Sequence, residues 1–258
     1  MVSTKSDSGE VPPTVPLSEA ERALLDENGY VTLPDVLTPV EARRVRDRVM
    51  ALADAERAAD PDCVYLDGKG QRVWNLVNKD EMFERLVQNR RTLGALEGLL
   101  GADCTLSSFT ANVIGPGSPP GGIHMDSPLT ALPAPLPPYA LVANSVWLLD
   151  DFTPENGATF CAPASHLLGR PPTRDDDPSL IQLTGRAGSV TIIHGSIWHG
   201  SAPNTTARHR VALLGFYSRA VMKPQQNHLA LATPGVLERA TPVMRRLLGF
   251  SSQPGERT

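Results

Sequence analysis

His124 and Asp126 stand two residues apart in GGIHMDSPL, and His199 follows 73 positions after Asp126 in SIWHGSAPN. In an extended segment, side chains two apart point the same way, so an imidazole nitrogen and a carboxylate oxygen from this pair can meet one cation. With His199 as third vertex, two imidazoles and one carboxylate suit a mononuclear ferrous centre that keeps positions open for a co-substrate and O₂. Eleven residues past His199, in ARHRVALLGFYSR, comes Arg210. Its planar fork makes two parallel charge-assisted bonds to a carboxylate, which fits the far end of a 2-oxo acid bound to the iron. Ser201 is placed to add a further bond.

Each residue has a plainer reading. An HxD pair recurs by chance. His194 competes with His199, and the downstream Ser201 and Arg210 favour His199. Arg210 as a surface ion pair sits poorly with the apolar VALLGFY after it, because an inward guanidinium there needs an anion. His194 is read as supporting or structural, His166 as fixing a loop, and His209 and His228 as surface residues. Cys63, Cys104 and Cys161 are odd in number and scattered, which argues against a disulfide framework or a zinc knuckle. HGS around Ser201 is no nucleophile elbow, so a serine hydrolase is set aside.

The chain has 258 residues, 41 % hydrophobic and 20 % charged, as expected of a globular protein with a substantial core. A net charge of -4 without a basic tract disfavours nucleic acid or an anionic membrane as partner and leaves a small-molecule substrate. No apolar run approaches the roughly 18–20 residues that span a bilayer. The first residues lack the apolar stretch of a signal peptide, so a cytoplasmic protein is expected. Arginine outnumbers lysine 20 to 4, a composition that points to a GC-rich bacterial genome.

The elements that must position these groups fall into two halves. Residues 1–16 read as a disordered tail, and 17–258 as a single domain. Ser18 with Glu21 makes a capping box ahead of EAERALLDENG, and Gly29 closes that helix. YVTLPDVL alternates like a short strand. Thr38, Pro39 and Glu41 open a second helix, with Val40, Val45, Val49, Leu52 and Ala53 at helical spacing to about Ala58. Shorter helices are expected around 80–88 and 91–100, and a final one near LERATPVMRRLLGF. From Asp103 onward CTLSSFTANVI, YALVANSVWLLDD, GSVTIIH and RVALLGFYSR have strand content. Between the first two lies a Pro- and Gly-dense segment that carries His124 and Asp126, read as a binding loop and part of a lid. This order predicts an α+β domain with a mainly β core, a double-sheet jelly roll with helices packed on one outer face.

The stretches IHMD, VWLLDDFTPENGATFCAPASHLLGR and WHGSAPNTTARHRVALLGFYSR together resemble the phytanoyl-CoA dioxygenase family of Fe(II)/2-oxoglutarate oxygenases, over roughly Ala20 to Arg219. The resemblance implies a double-stranded β-helix, cupin-like in form. It implies His124, Asp126 and His199 as iron ligands, and Arg210 and Ser201 as contacts to the distal carboxylate of 2-oxoglutarate. Trp147 falls where the family often has an aromatic beside the co-substrate, and Thr159 is a further candidate for that pocket. Asp126 is retained where halogenating relatives carry a small residue, so halogenation is disfavoured. No clear counterpart stands for a basic residue that some relatives place near the co-substrate; Arg72 and Gln71 are the nearest.

The reaction so implied takes Fe(II), 2-oxoglutarate and O₂ and removes hydrogen from an aliphatic C–H of a small molecule. Hydroxylation is the commonest outcome, with epimerisation, cyclisation and desaturation as variants. Trp74, Asn75, Phe109, Asn112, Met125, Leu129, Tyr139 and Trp198 are the expected lining of the substrate pocket. A medium-sized natural product fits better than an acyl-CoA, whose phosphates would need a basic cluster. The expectation is therefore a tailoring oxygenase of bacterial secondary metabolism, active in antibiotic biosynthesis. Two rivals remain: a cupin-type metal hydrolase or isomerase that needs no 2-oxo acid, and an inactive binding protein on the same scaffold. Arg210 and Ser201 count against the first, and the intact ligand set against the second.

Overall fold

The computed structural model describes residues 13–250. In chain order these form α1 (Glu19–Asn28), β1 (Tyr30–Leu33), α2 (Pro39–Ala59), β2 (Val64–Tyr65), β3 (Gly70–Val73), α3 (Glu81–Leu86), α4 (Arg90–Leu100) and β4 (Thr105–Ile114). Then follow β5 (Val142–Leu148), β6 (Thr159–Ala162), β7 (Ile181–Gln182), β8 (Val190–His194), β9 (Trp198–Ser201) and β10 (Arg210–Ser218). The chain closes on α5 (His228–Leu231), α6 (Pro234–Arg239) and α7 (Pro242–Leu247).

Both expected capping boxes form. Ser18 with Glu21, and Thr38 with Glu41, satisfy each other's backbone donors at the starts of α1 and α2. Gly29 ends α1 at a φ of 82°, a left-handed conformation that favours glycine. The buried stripe of α2 is Ala42, Val45, Val49 and Ala53, whereas Val40 lies on the solvent side. The expected C-terminal helix is two short ones, because Thr241 caps a new start with Pro242 in its first turn.

Of the tail expected over 1–16, residues 1–12 lie outside the described part. Residues 13–16 are held against α4: the Val15 amide donates to the Arg90 carbonyl at 3.0 Å, and Thr14 Oγ1 donates to Glu97 Oε2 at 2.6 Å.

The strands make a jelly roll of two antiparallel sheets. The larger runs β1-β8-β5-β10-β4-β3-β2 and the smaller β7-β6-β9. The sheet sides differ in what covers them. Ala143 and Trp147 of β5 join residues of α2, α4 and α7 in one apolar layer, so the helices cover that side. Val146 and Leu148 of the same strand join Cys161, Ile193 and Ala212 in a second layer between the sheets. The site opens at one end of this inter-sheet space. Strands β2, β3, β6, β7 and β9 escape the sequence reading because all five are two to four residues long, which leaves little alternation to register.

Candidate active site

His124 and His199 meet through backbone. Each amide donates to the other's carbonyl at 2.9 Å, so the segment that carries His124 runs antiparallel beside β9. Glycines permit this approach. A Cβ on Gly200 would stand 2.9 and 3.0 Å from the carbonyl oxygens of Gly122 and Gly121. The Asp126 amide then donates to the Gly195 carbonyl at 3.3 Å, which brings the carboxylate over the same point.

His124, Asp126 and His199 each offer one ligand atom, and these atoms lie within 4.8 Å of one another. His199 Nε2 is 3.7 Å from Asp126 Oδ1. The other ring nitrogens are occupied: His124 Nδ1 donates to the Gly122 carbonyl at 2.9 Å, and His199 Nδ1 to the Ile197 carbonyl at 3.0 Å. A backbone acceptor at Nδ1 fixes the tautomer and leaves the Nε2 lone pair for a metal. Loss of water from around His124, reinforced by facing His199, lowers its pKa and favours the neutral form that ligation needs.

Behind these groups lies a cleft of ≈ 360 Å³. Thr159 and Ser201 are cross-strand partners on β6 and β9, and both line it. Ser201 Oγ accepts the Gly121 amide at 3.1 Å, so its own hydrogen remains to be donated into the cleft. Arg210 opens β10 opposite Ile114 of β4 and is 1 % exposed. Its guanidinium lies 4.6 Å from the Phe152 ring centroid and donates from Nε to the Gly157 carbonyl at 3.0 Å. Gly157 adopts a φ of 82°, which aims that carbonyl at the cation. Burial pulls the guanidinium down to about 10, far above neutrality, so it stays charged. Among the described residues no carboxylate lies within ion-pair distance of it. A buried cation that faces a cleft without a carboxylate at ion-pair distance is a site for an anion.

The other expected site residues separate. Trp147 is not beside the cleft. Asn144 and Val146 of β5 line it, and alternation turns Trp147 to the helix side, fully buried, with Nε1 donating to Ser145 Oγ at 3.1 Å. Of the expected substrate lining, only Asn112 faces this cleft. Phe109, Met125, Leu129 and Trp198 are buried in apolar clusters, while Trp74 and Tyr139 are 50 % and 54 % exposed. Leu129 and Leu136 pin the Pro-rich segment to Trp198 and Phe216.

Arg72 lines the cleft and donates to Thr110 Oγ1 at 3.1 Å; Gln71 points the other way, into contact with the Ala53 carbonyl. His194 accepts the Ser196 amide at Nδ1, and His166 donates to the Asp26 carbonyl, so both hold loops. His228 is not on the surface. It is 3 % exposed, with the backbone of Leu106 and Ser107 on β4 beside its ring. Cys104 and Cys161 are buried thiols pushed up to about 11 and about 12 by desolvation, which makes them inert.

Several cleft residues had no sequence signal. Tyr65, Thr110 and Asn144 reach the site from strands whose ends no motif marks. Tyr65 donates its hydroxyl to Asn112 Oδ1 across the cleft wall. Asn144 Nδ2 donates to Asp126 Oδ2 at 2.7 Å.

Comparison with known proteins gives the family. Residues 25–212 match the phytanoyl-CoA dioxygenase (PhyH) family model. The chain belongs to the phytanoyl-CoA dioxygenase family. As a member it is an iron- and 2-oxoglutarate-dependent dioxygenase. It is 32 % identical to the dioxygenase af480 of Aspergillus fumigatus, over 90 % of this chain and 77 % of that protein. Among solved structures, HygX from Streptomyces hygroscopicus, with nickel and 2-oxoglutarate bound, superposes with a TM-score of 0.68 at 18 % identity, covering 81 % of this chain and 89 % of HygX. SnoK, a non-heme alpha-ketoglutarate-dependent carbocyclase from nogalamycin biosynthesis, gives a TM-score of 0.65 at 24 % identity, covering 87 % of this chain and 95 % of SnoK. These two likenesses carry the jelly-roll fold. Among the described residues no helix is long and apolar enough to cross a membrane.

Proposed function

We propose that His124, Asp126 and His199 hold a single ferrous ion, and that Arg210, Ser201 and Thr159 take the distal carboxylate of 2-oxoglutarate. The observation that carries this reading is the pairing of two features in one cleft: three ligand atoms within 4.8 Å of one another, and a buried guanidinium with no carboxylate at ion-pair distance among the described residues. The donor set suits the metal, since neutral imidazoles and a carboxylate in a facial arrangement are the preferred set of non-haem iron oxygenases. When bound, iron and 2-oxoglutarate together activate O₂ for C–H oxidation, with succinate and CO₂ as by-products. The chain's own residues do the rest. Nδ1 bonds fix both imidazoles. Arg210 sets the co-substrate's direction, and the burial of that end excludes water that would otherwise compete for the carboxylate. Trp147 has no part in this set.

The substrate is read as a medium-sized oxygenated natural product. Ser108, Asn112, Asn144 and Gln225 present hydroxyl and amide groups to the cleft, and only two arginines bring positive charge to it. That favours hydrogen-bonded recognition over capture of a phosphate-rich acyl-CoA. The crystallised neighbours point the same way: HygX has been solved with hygromycin B bound. Hydroxylation is the expected outcome; epimerisation, cyclisation or desaturation follow from the substrate's pose above the same ligands. The sequence relatives named as dioxygenases come from fungi, so the bacterial source inferred from arginine content finds no support among them. Three unpaired thiols accord with a reducing compartment such as the cytoplasm.

The test is succinate formation. Purified protein with Fe(II), ascorbate and 2-oxoglutarate should release succinate in an O₂-dependent manner, and His199→Ala should release none. Succinate release by His199→Ala at the wild-type rate would reject the assignment. A hydrolase or isomerase of the same fold would turn over without consuming 2-oxoglutarate, and a silent binding protein would not turn over at all.

A further inference from the structure

Among the described residues Asn144 is the cleft residue whose side chain bonds a ligand side chain. It lies in the middle of β5, opposite Phe216 on β10 and Ile193 on β8, so its backbone is fixed by strands on both sides. Its amide nitrogen donates to Asp126 Oδ2 at 2.7 Å. The other carboxylate oxygen, Oδ1, is the one that faces His199 Nε2. A carboxylate accepts only, so the amide must present its NH₂ here, and an amide neither loses nor gains a proton across the working pH range.

The two oxygens of Asp126 therefore have different tasks. One is tied to the sheet and the other is offered to the metal. A carboxylate free to rotate about its last torsion can present both oxygens to one cation. In a site that must keep positions open for a bidentate co-substrate and for O₂, a second aspartate oxygen would fill one of them. We propose that Asn144 is a positioning residue for the metal, holding Asp126 to one-oxygen ligation and preserving an open coordination position. The inference rests on the metal assignment above. Partners that orient metal ligands in this way typically contribute 10–100-fold in metal affinity.

The experiment uses the full chain and Co(II), whose ligand-field absorption reports the number and geometry of its donors. Asn144→Leu keeps most of the side-chain volume and removes the donor. It should bind Co(II) about 10- to 100-fold more weakly than wild type. Its Co(II) spectrum should differ from wild type with 2-oxoglutarate present, while the thermal midpoint of the metal-free protein stays unchanged. Unchanged affinity and spectrum would overturn the proposal. So would a loss of affinity that appears only with a matching fall in the metal-free midpoint.

Asn144→Ala carries the same expectations in case leucine disturbs the fold. The wild type supplies an independent reading: the Asn144 side-chain amide protons should exchange slowly and shift on addition of Zn(II), and rapid exchange in both states would count against the bond. Failure of the metal assignment looks different, since wild type and His199→Ala would then bind Co(II) equally well.

Discussion

Replacing Arg210 by methionine should weaken 2-oxoglutarate binding severely without harming the metal-free fold. The side chain is 1 % exposed; its guanidinium bonds the Gly157 carbonyl and lies over the Phe152 ring, with Asp150 beyond ion-pair distance. Removal of an under-compensated buried charge by a volume-matched apolar residue is often neutral or stabilising, so the thermal midpoint should hold or rise. Binding is another matter. Losing one partner of a buried charge-assisted pair costs about 2–5 kcal/mol, which corresponds to roughly 30- to 5,000-fold in Kd. Arg210→Lys keeps the charge but loses the fork, and should fall between the two. Calorimetric titration of 2-oxoglutarate into the Mn(II)-loaded protein under anaerobic conditions measures this directly, with the metal affinity of each variant as control. An Arg210→Met protein that binds 2-oxoglutarate within threefold of wild type would refute the anion-site reasoning. A large fall in thermal midpoint would refute the claim that the buried charge lacks a partner.

Three further outcomes follow from other parts of the molecule. Gly200→Ala places a methyl against the Phe160 ring and the carbonyls of Gly121 and Gly122 and should push the His124 segment off β9; about 1–3 kcal/mol of stability and a measurable loss of Co(II) affinity are expected, and unchanged affinity would show that the close approach is dispensable. Trp147→Phe removes the bond to Ser145 and part of the helix-side packing, so chemical denaturation should show a loss of about 1–3 kcal/mol while the Kd for 2-oxoglutarate stays at the wild-type value; a selective loss of binding would return Trp147 to the site. Burial pushes His228 down to about 4 from the ordinary 6.5, so the unfolded chain takes up its proton first as the pH falls. Its contribution is complete above pH 6.5 and is lost between 6.5 and about 4, on the order of 3 kcal/mol. Denaturation midpoints across that window should fall less steeply in His228→Leu, and parallel curves would disprove the burial effect.

The chemistry was legible where motif and geometry coincide. His124 and Asp126 share a face because they sit two apart in extended chain, and that requirement is local. His199 joins them through a strand pairing between distant segments, which the sequence indicates only by its surroundings. The capped helices were equally plain, since Ser18, Glu21, Thr38 and Glu41 announce their ends. Trp147 failed for the opposite reason: a strand side chain shifted by one position changes sides, and the sequence of β5 is apolar on both. Asn144 carries no motif at all, because its bond to Asp126 joins β5 to a loop 18 residues earlier, a contact that only the folded chain makes. His228 looked like a surface residue in a polar stretch, but it begins a four-residue helix that turns it inward.

The most direct test is diffraction at the metal's absorption edge, from crystals grown anaerobically with Fe(II) and 2-oxoglutarate. One anomalous peak bonded to His124 Nε2, Asp126 Oδ1 and His199 Nε2, with Arg210 on the far carboxylate of the co-substrate, is the expected result. A peak elsewhere, or a co-substrate turned away from Arg210, would contradict the account.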